Sequence, residues 1–377
     1  FMKAGYGKNT RNLLGYQNRL RLLVDFCELP VFDAATDPAI VLVQKASPQF
    51  GETYADTVVK SVEELKSIAK TVSDRITRYR IDSLSVDRWM RGGPASRDLV
   101  FKIESCGIAL GNLVKDNFHY GIKTGFNQAF VIDEQVRRDL VMSDPHCADI
   151  IVPWLDGDEI RRWKCEWSHQ YLIRIPSSAN ADWIWSGEAS VEKAYARFEG
   201  EYPSLAKHLS KWHSNLIGRD DQGKFWWELR SCSYWDVFSV PRIVFNECSK
   251  ELHAYLETNT MVQNKTGFVI ISDENEFVLA VLNSSLMDFY YRSVFQAWGD
   301  PWNGGRLQFQ KEKMVDVRIP AATTEQKNAI AAVVRQIQLS PRGPDAKELE
   351  KKLDLMVLGL FHVDERELLE ARAQALG

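Results

Sequence analysis

Between residues 119 and 320 the apolar runs are short, aromatic and far apart, and this spacing confines the chain to a mixed α+β architecture. Runs 129–132, 171–175, 243–245, 268–271 and 277–282 read as strands. Long polar connections and helical pieces such as 203–216 separate them, without the strand–helix–strand rhythm that builds a parallel sheet. The amino-terminal part differs. Residues 12–24 read as a helix running into a strand, 39–43 as a second short buried strand, and Thr57, Val58 and Val59 as an edge strand. Two buried strands with no preceding sheet cannot make a domain, so the chain reads as entered late in an α/β domain. Ser61 and Glu64 suggest a capping box before a helix over 62–72, and 88–98, with Gly92, Gly93 and Pro94, reads as a loop. Beyond residue 320 the pattern turns helical. Thr323 and Gln326 form a second capping box before a helix through Ile337. Residues 340–344 break it, and helices follow over 346–360 and 364–373, with Leu353, Val357 and Leu360 as an apolar stripe.

Composition narrows the function classes. With 45% hydrophobic and 26% charged residues among 377, the chain can bury a large core. Its longest apolar runs are far too short to span a membrane, and its start does not resemble a signal peptide. The cysteines (Cys27, Cys106, Cys147, Cys165, Cys232 and Cys248) form no CxxC pair. They read as scattered thiols of a reducing compartment, so a cytoplasmic location is expected. The histidines do not fall at zinc-ligand spacing from them. Net charge is −4, with 17 basic and 14 acidic residues in the first 120 and 30 and 37 in the remainder. That sum does not advertise nucleic acid, yet it leaves room for a local basic groove. Twelve tryptophans, several with polar neighbours (Trp163, Trp167, Trp183, Trp185, Trp212, Trp226 and Trp227), serve either core packing or recognition.

No motif anchors catalysis. A glycine-rich cofactor loop after a strand, a Walker sequence, HExxH and GxSxG are all missing from the sequence. Asp345 with Glu350, Lys351 and Lys352 superficially matches a PD…ExK nuclease pattern, but the residues share a linker and the first turns of a helix. Asp156, Asp158 and Glu159 around Gly157 read as a solvated turn in preference to a calcium loop. His119, His146, His169 and His208 read as structural residues. Two segments point to binding. In the first, Gly121, Lys123, Thr124, Gly125 and Asn127 make a polar loop before run 129–132. Lys123 and Thr124 could hold a phosphate and Asn127 could reach a base edge; a structural turn needing glycine dihedrals is the other reading. The second follows Gly304 and Gly305, where Arg306, Gln308 and Gln310 alternate along an extended piece and share one face. Arginine pairs with guanine and glutamine with adenine; an edge strand with an ordinary polar face is the other reading. Asn283, Ser284 and Ser285 would cap a helix over 286–294.

Five stretches, taken in order, resemble the latter part of Eco57I-like restriction-modification DNA methyltransferases that modify the amino group of adenine, with a TaqI-like specificity domain. They are Phe1–Met2–Lys3 with Tyr6 and Gly7, running through Val24–Asp25–Phe26 and 29–34 to 38–41; the loop 121–127 with 129–133; 151–155 with Gly157, Asp158, Ile160 and Trp163; 226–230 with 241–245; and 282–286 with Phe289 and Tyr290, then Phe309, Ile319 and Pro320. The resemblance implies residues 1–115 as the end of an α/β methyltransferase domain plus linker, 116–320 as a target recognition domain, and 321–377 as a helical segment. It implies duplex DNA as partner and an upstream methyltransferase domain opposite it across a cleft. It also implies S-adenosylmethionine for the full-length protein, with no cofactor or metal held by this chain. The family's Asn-Pro-Pro-Tyr motif and its glycine motif for the methyl donor do not occur here. The expectation is therefore a recognition part that does not methylate alone, with Lys123 and Thr124 on phosphate and Asn127, Arg306 and Gln308 on bases. A protein-interaction module of a phage-defence complex is the alternative from another class, and an unrecognised metal-dependent nuclease a third.

Overall fold

Six consecutive apolar residues, Phe277 to Leu282, are buried on every side. They belong to a helix, Asn275–Leu282, where the run reads as a strand. A short run that is apolar all round suits a buried helix as well as a buried strand, because no polar face sets the period. The computed structural model describes residues 1–3, 5–27, 29–33, 36–81, 84–86, 88–90 and 93–376. In it this helix packs against helices Thr324–Leu339 and Ala346–Leu360 and against strands Arg242–Asn246 and Ala254–Glu257.

The architecture is mixed α+β. At the amino end a four-stranded sheet places Ala39–Gln44 beside Arg19–Asp25, then Thr53–Val58 and Thr77–Arg80. Arg19–Asp25 runs antiparallel to Ala39–Gln44 and parallel to Thr53–Val58. Three expectations change here. Thr57 and Val58 lie in an interior strand, not at an edge. Ala39–Gln44 lies at one edge of the sheet, with Ile40 and Leu42 exposed, so it is not buried. Helix 62–72 is interrupted at Ser67, giving Val62–Lys66 and Ile68–Arg75. Ser61 caps the first piece by accepting from the Glu64 amide at 3.2 Å, while Glu64 accepts from the Lys60 amide at 2.7 Å, one residue before the position of a capping box. The expected loop 88–98 is helical from Pro94 onward, in Pro94–Glu104, where proline takes the first turn because its missing N–H has no helical partner to lose. Gly92 and Ala34 lie outside the described residues.

The middle of the chain carries two further four-stranded sheets. One orders Val262–Gln263, Ile151–Leu155, Gln170–Ile173 and Val131–Ile132; the other orders Ala254–Glu257, Arg242–Asn246, Gly267–Ile270 and Phe118–Tyr120. Run 129–132 is a strand only in its second half, since Asn127–Phe130 is a helical turn. Beneath the first of these sheets lies an aromatic core. Trp227 stacks between Phe225 and Phe198, at 4.8 and 5.4 Å with rings 6° and 9° from parallel, and Trp185 stacks on Trp183 at 4.9 Å. Of the tryptophans singled out by their polar neighbours, Trp163, Trp185, Trp226 and Trp227 are buried, and Trp167, Trp183 and Trp212 are partly buried against the same core. These seven pack.

The carboxy-terminal helices follow their sequence signals. Thr323 and Gln326 close a reciprocal capping box on Thr324–Leu339. Ser284 caps Ser285–Val294 by accepting from the Met287 amide. Leu353, Val357 and Leu360 face the core from Ala346–Leu360. Replacing Leu353 by alanine opens a cavity in this core, and urea unfolding is expected to show a loss of about 2–5 kcal/mol.

Candidate nucleic-acid interface

The loop from Gly121 to Asn127 is held from inside. A Cβ on Gly121 would stand 2.0 Å from the Asn264 carbonyl oxygen, so only glycine lets the two backbones meet. The Ile122 amide donates to the Gln263 carbonyl at 2.7 Å and the Lys265 amide to the Ile122 carbonyl at 3.0 Å, which ties the loop to the turn after Val262–Gln263. Gly125 sits at φ +73°, in the left-handed region that glycine enters without strain. Thr124 is 2% exposed. Its hydroxyl donates to the Asn127 side-chain oxygen and accepts from the Phe126 amide at 3.2 Å. Thr124 thus shapes the loop from within and does not present its hydroxyl to solvent, whereas Asn127 is exposed.

Arg219 is the bracket beneath this loop. Its guanidinium is buried over the Phe130 ring at 4.5 Å, and donates to the carbonyls of Thr124, Trp226 and Glu228. Burial pulls its pKa down to about 10, which still leaves it charged near neutrality. The Glu228 carboxylate, fully buried, accepts from the Ser178 amide at 3.0 Å, the Trp185 indole at 2.9 Å, the Phe225 amide at 3.1 Å and the Ser178 hydroxyl.

Lys123 leaves the loop on the outside, 44% exposed, with its Nζ 2.5 Å from Asp221 Oδ2. Arg230 reaches the other oxygen of Asp221 at 3.3 Å. The hydrogen bond from Lys123 is the main cause that holds Asp221 below the ordinary carboxylate range; burial opposes it, and the charges of Lys123, Arg230 and Lys265 add to it. Lys123, Arg230 and Lys265 are all exposed, so three cations surround one carboxylate. Arg230 and Lys265 were not among the expected contact residues. They lie far from Lys123 in sequence, and only the fold brings them to one rim.

The second segment also forms. Arg306–Gln308 is the middle strand of a three-stranded sheet, between Cys248–Ser249 and Ala297–Trp298, and so is not the edge strand of the alternative reading. Leu307 and Phe309 are fully buried, which turns Arg306, Gln308 and Gln310 to the opposite face. Arg306 donates to the Cys248 carbonyl at 3.3 Å, and Gln310 to the Gln308 side chain at 3.3 Å. Arg306 overlooks a groove of about 740 Å³ whose lining includes Asn246, Lys250, Asn264 and Asp156. Asn264 is the junction. It touches Gly121 on one side and lines the groove on the other, where its side chain donates to Asp156. Burial raises the Asp156 pKa. The basic rim and the Arg306 groove are therefore joined through the turn at Asn264.

Four of the remaining candidates, Glu350, Glu159, His208 and His119, are held in structural contacts. Glu350 accepts from the Trp163 indole at 3.1 Å and lies 3.5 Å from Arg162, bracing its helix against the middle of the chain. Glu159 is buried and accepts from the Asp156 and Ser168 amides, each at 2.8 Å. His208 Nε2 lies 3.0 Å from the Ala129 carbonyl, and His119 stacks on Tyr234 at 4.6 Å. Among the described residues no cluster of histidine, cysteine, aspartate or glutamate suits a metal ion. No helix among them is long and apolar enough to cross a membrane. S-adenosylmethionine does not fit these residues. The glycine pair near the start is a short turn in which Gly7 is packed against the Phe1 carbonyl and Arg11, which leaves no open backbone cradle at that glycine.

Residues 152–302 match the family model of the TaqI-like C-terminal specificity domain. The type II methyltransferase M.MjaIV of Methanocaldococcus jannaschii is 22% identical over 253 residues, covering 64% of this chain and 78% of that protein. The type IIL restriction-modification enzyme MmeI, solved in complex with DNA, shares the fold with a TM-score of 0.51 at 9% identity; the match covers 95% of this chain and 45% of that one. The type IIG restriction endonuclease BpuSI aligns with a TM-score of 0.42 at 15% identity, over 99% of this chain and 44% of its own. The chain thus spans less than half the length of either solved enzyme.

Arg219→Met keeps the side-chain volume but orphans three buried carbonyls. Denaturant unfolding is expected to show a loss of at least about 2 kcal/mol, with hydrogen exchange accelerated at the amides of Ile122 and Phe126 ahead of those in Thr324–Leu339.

Proposed function

We propose that this chain, whose residues 152–302 form a TaqI-like C-terminal specificity domain, reads a short sequence in duplex DNA on behalf of a restriction-modification enzyme. The observation that carries the reading is the junction at Asn264, which sets a basic rim (Lys123, Arg230, Lys265) beside a groove overlooked by Arg306. Phosphate contacts position a protein on the duplex and base-edge contacts select the sequence; the rim suits the first task and the Arg306 face the second. Lys123 and Arg230 contact phosphate by exchanging Asp221 for it. Thr124 acts through the loop, positioning Asn127. Asn127, Arg306 and Gln308 read base edges, Arg306 with guanine as its best partner.

In the whole protein this chain serves as the specificity part of an adenine-N6 methyltransferase that takes its methyl group from S-adenosylmethionine in the cytoplasm. A methyltransferase domain across the DNA supplies the catalytic motif and holds the donor. Residues 116–320 do the reading and 321–377 buttress them. A protein-interaction reading draws on one observation, the exposed Ile40 and Leu42 on edge strand Ala39–Gln44. An apolar sheet edge of that kind suits a protein neighbour, and the two readings concern different surfaces.

Selection from a random duplex pool at two salt concentrations tests the proposal. Enrichment of one short motif, with retention falling as salt rises, is the expected result; no retained DNA would leave the interaction reading in its place. On the enriched duplex, Lys123→Ala is expected to weaken binding to all sequences alike, and Arg306→Ala to lose about 1–3 kcal/mol of discrimination at one position. Asp221→Asn is expected to tighten binding to every duplex and to steepen its salt dependence by roughly one released counterion, because it frees Lys123 and Arg230.

A further inference from the structure

Arg306 does not stand alone on its face of the sheet. Its direct cross-strand partner is Trp298, and residues opposed in this way project to the same side, with Cβ atoms about 5 Å apart. The register leaves no choice of side. Leu307 is fully buried and pairs with Ala297 on one neighbouring strand and with Ser249 on the other. Trp298, one residue along from Ala297, must therefore face away from the core. It is 56% exposed, whereas Trp163, Trp185 and Trp227 are at most 2% exposed.

The connection from Trp298 to Arg306 holds the pair in place. Gly299 and Gly304 take φ values of +79° and +88°, and the Asp300 carbonyl accepts the amides of Asn303 at 3.0 Å and Gly305 at 2.8 Å. A Cβ on Gly305 would stand 2.6 Å from that same carbonyl oxygen. The chain therefore leaves Trp298, turns tightly and returns with Arg306 opposite it. Gln308 continues the face, its amide donating to the Gln296 carbonyl at 2.9 Å. Lys250, also exposed, lies two residues past Cys248, the cross-strand partner of Gln308. One outward face thus presents an indole, a guanidinium, a carboxamide and an ammonium group. Guanidinium and carboxamide match base edges, and an exposed indole matches the face of a base. Asp158, Glu247 and Glu251 line the adjoining groove, so the surface as a whole suits base edges, which offer donors and acceptors, better than a bare run of phosphates.

We propose that Trp298 stacks on a nucleobase at an opened step of the recognition sequence, next to the base that Arg306 reads. The inference rests on the DNA-reading function above and adds to it a stacking residue and a local unstacking of the duplex. A wedge at one step costs the energy of separating two bases, and the indole face returns part of it. Because some steps open more readily than others, Trp298 would contribute to sequence preference without a hydrogen bond.

The test uses the full chain and the duplex enriched from the random pool, with 2-aminopurine substituted at one position at a time. For wild type, the expected result is a change in 2-aminopurine emission on binding that is confined to one step, adjacent to the base whose selection Arg306→Ala relaxes. Trp298→Ala is expected to abolish that change and to weaken affinity for the enriched duplex roughly tenfold. Trp298→Phe, which keeps an aromatic face, is expected to retain the change and most of the affinity. An unaltered melting temperature of Trp298→Ala shows that the sheet survives, and Trp298→Phe carries the test if it does not. Wild-type affinity and an unchanged emission profile in Trp298→Ala would overturn the inference and leave the DNA-reading function standing, as would an equal loss on every duplex with no step-confined signal. A chain that enriches no sequence at all would remove both.

Discussion

The interface depends on a buried guanidinium that holds backbone and not a carboxylate. Arg219 donates to the carbonyls of Thr124, Trp226 and Glu228, three points from two stretches of chain that have no ladder between them. A buried charge is costly unless hydrogen bonds replace its hydration, and the fixed fork of arginine can supply several at once. Removing it would release the loop that carries Lys123 and the segment that carries Arg230. The same device recurs at Arg242, fully buried, which donates to the carbonyls of Val240, Asn259 and Met261. It fixes the turn that leads into Val262–Gln263, and from there to Asn264.

Around the first bracket the aromatic residues do structural work. Trp227 between Phe225 and Phe198, and Trp185 on the Glu228 carboxylate, make a rigid floor beneath the loop. A loop on such a floor keeps exposed side chains in place without paying for their ordering when a ligand arrives. A chain with a negative net charge thus presents a local positive rim, where Lys123, Arg230 and Lys265 act on Asp221.

Much of the candidate site was legible because its signals are local. Glycines at 121 and 125 marked a loop of restricted backbone, and the alternation of Arg306, Leu307, Gln308 and Phe309 marked an outward polar face. A hydroxyl beside a lysine, as at Thr124, looks available in sequence, whereas the fold turns it inward onto Asn127. Arg230 and Lys265 carried no signal, since cations brought together around Asp221 from distant stretches leave no spacing to read. Trp298 was passed over among twelve tryptophans; that its neighbour Ala297 faces inward becomes known only when the strand is paired.

Local signals carried the α+β class, the carboxy-terminal helices with their caps at Ser284 and Thr323, and the loop and strand that bear Lys123 and Arg306. Caps, turns and alternation act over a few residues, so the code for them lies within a few residues. Tertiary structure decided that 277–282 is a helix, that Thr57 and Val58 lie inside a sheet, and that Arg306 faces outward beside Trp298. It also decided that the Lys123 rim meets the Arg306 groove at Asn264. Those outcomes depend on what each segment is packed against: burial on every side erases the polar face that would reveal a period, and strand register sets which side chains become neighbours.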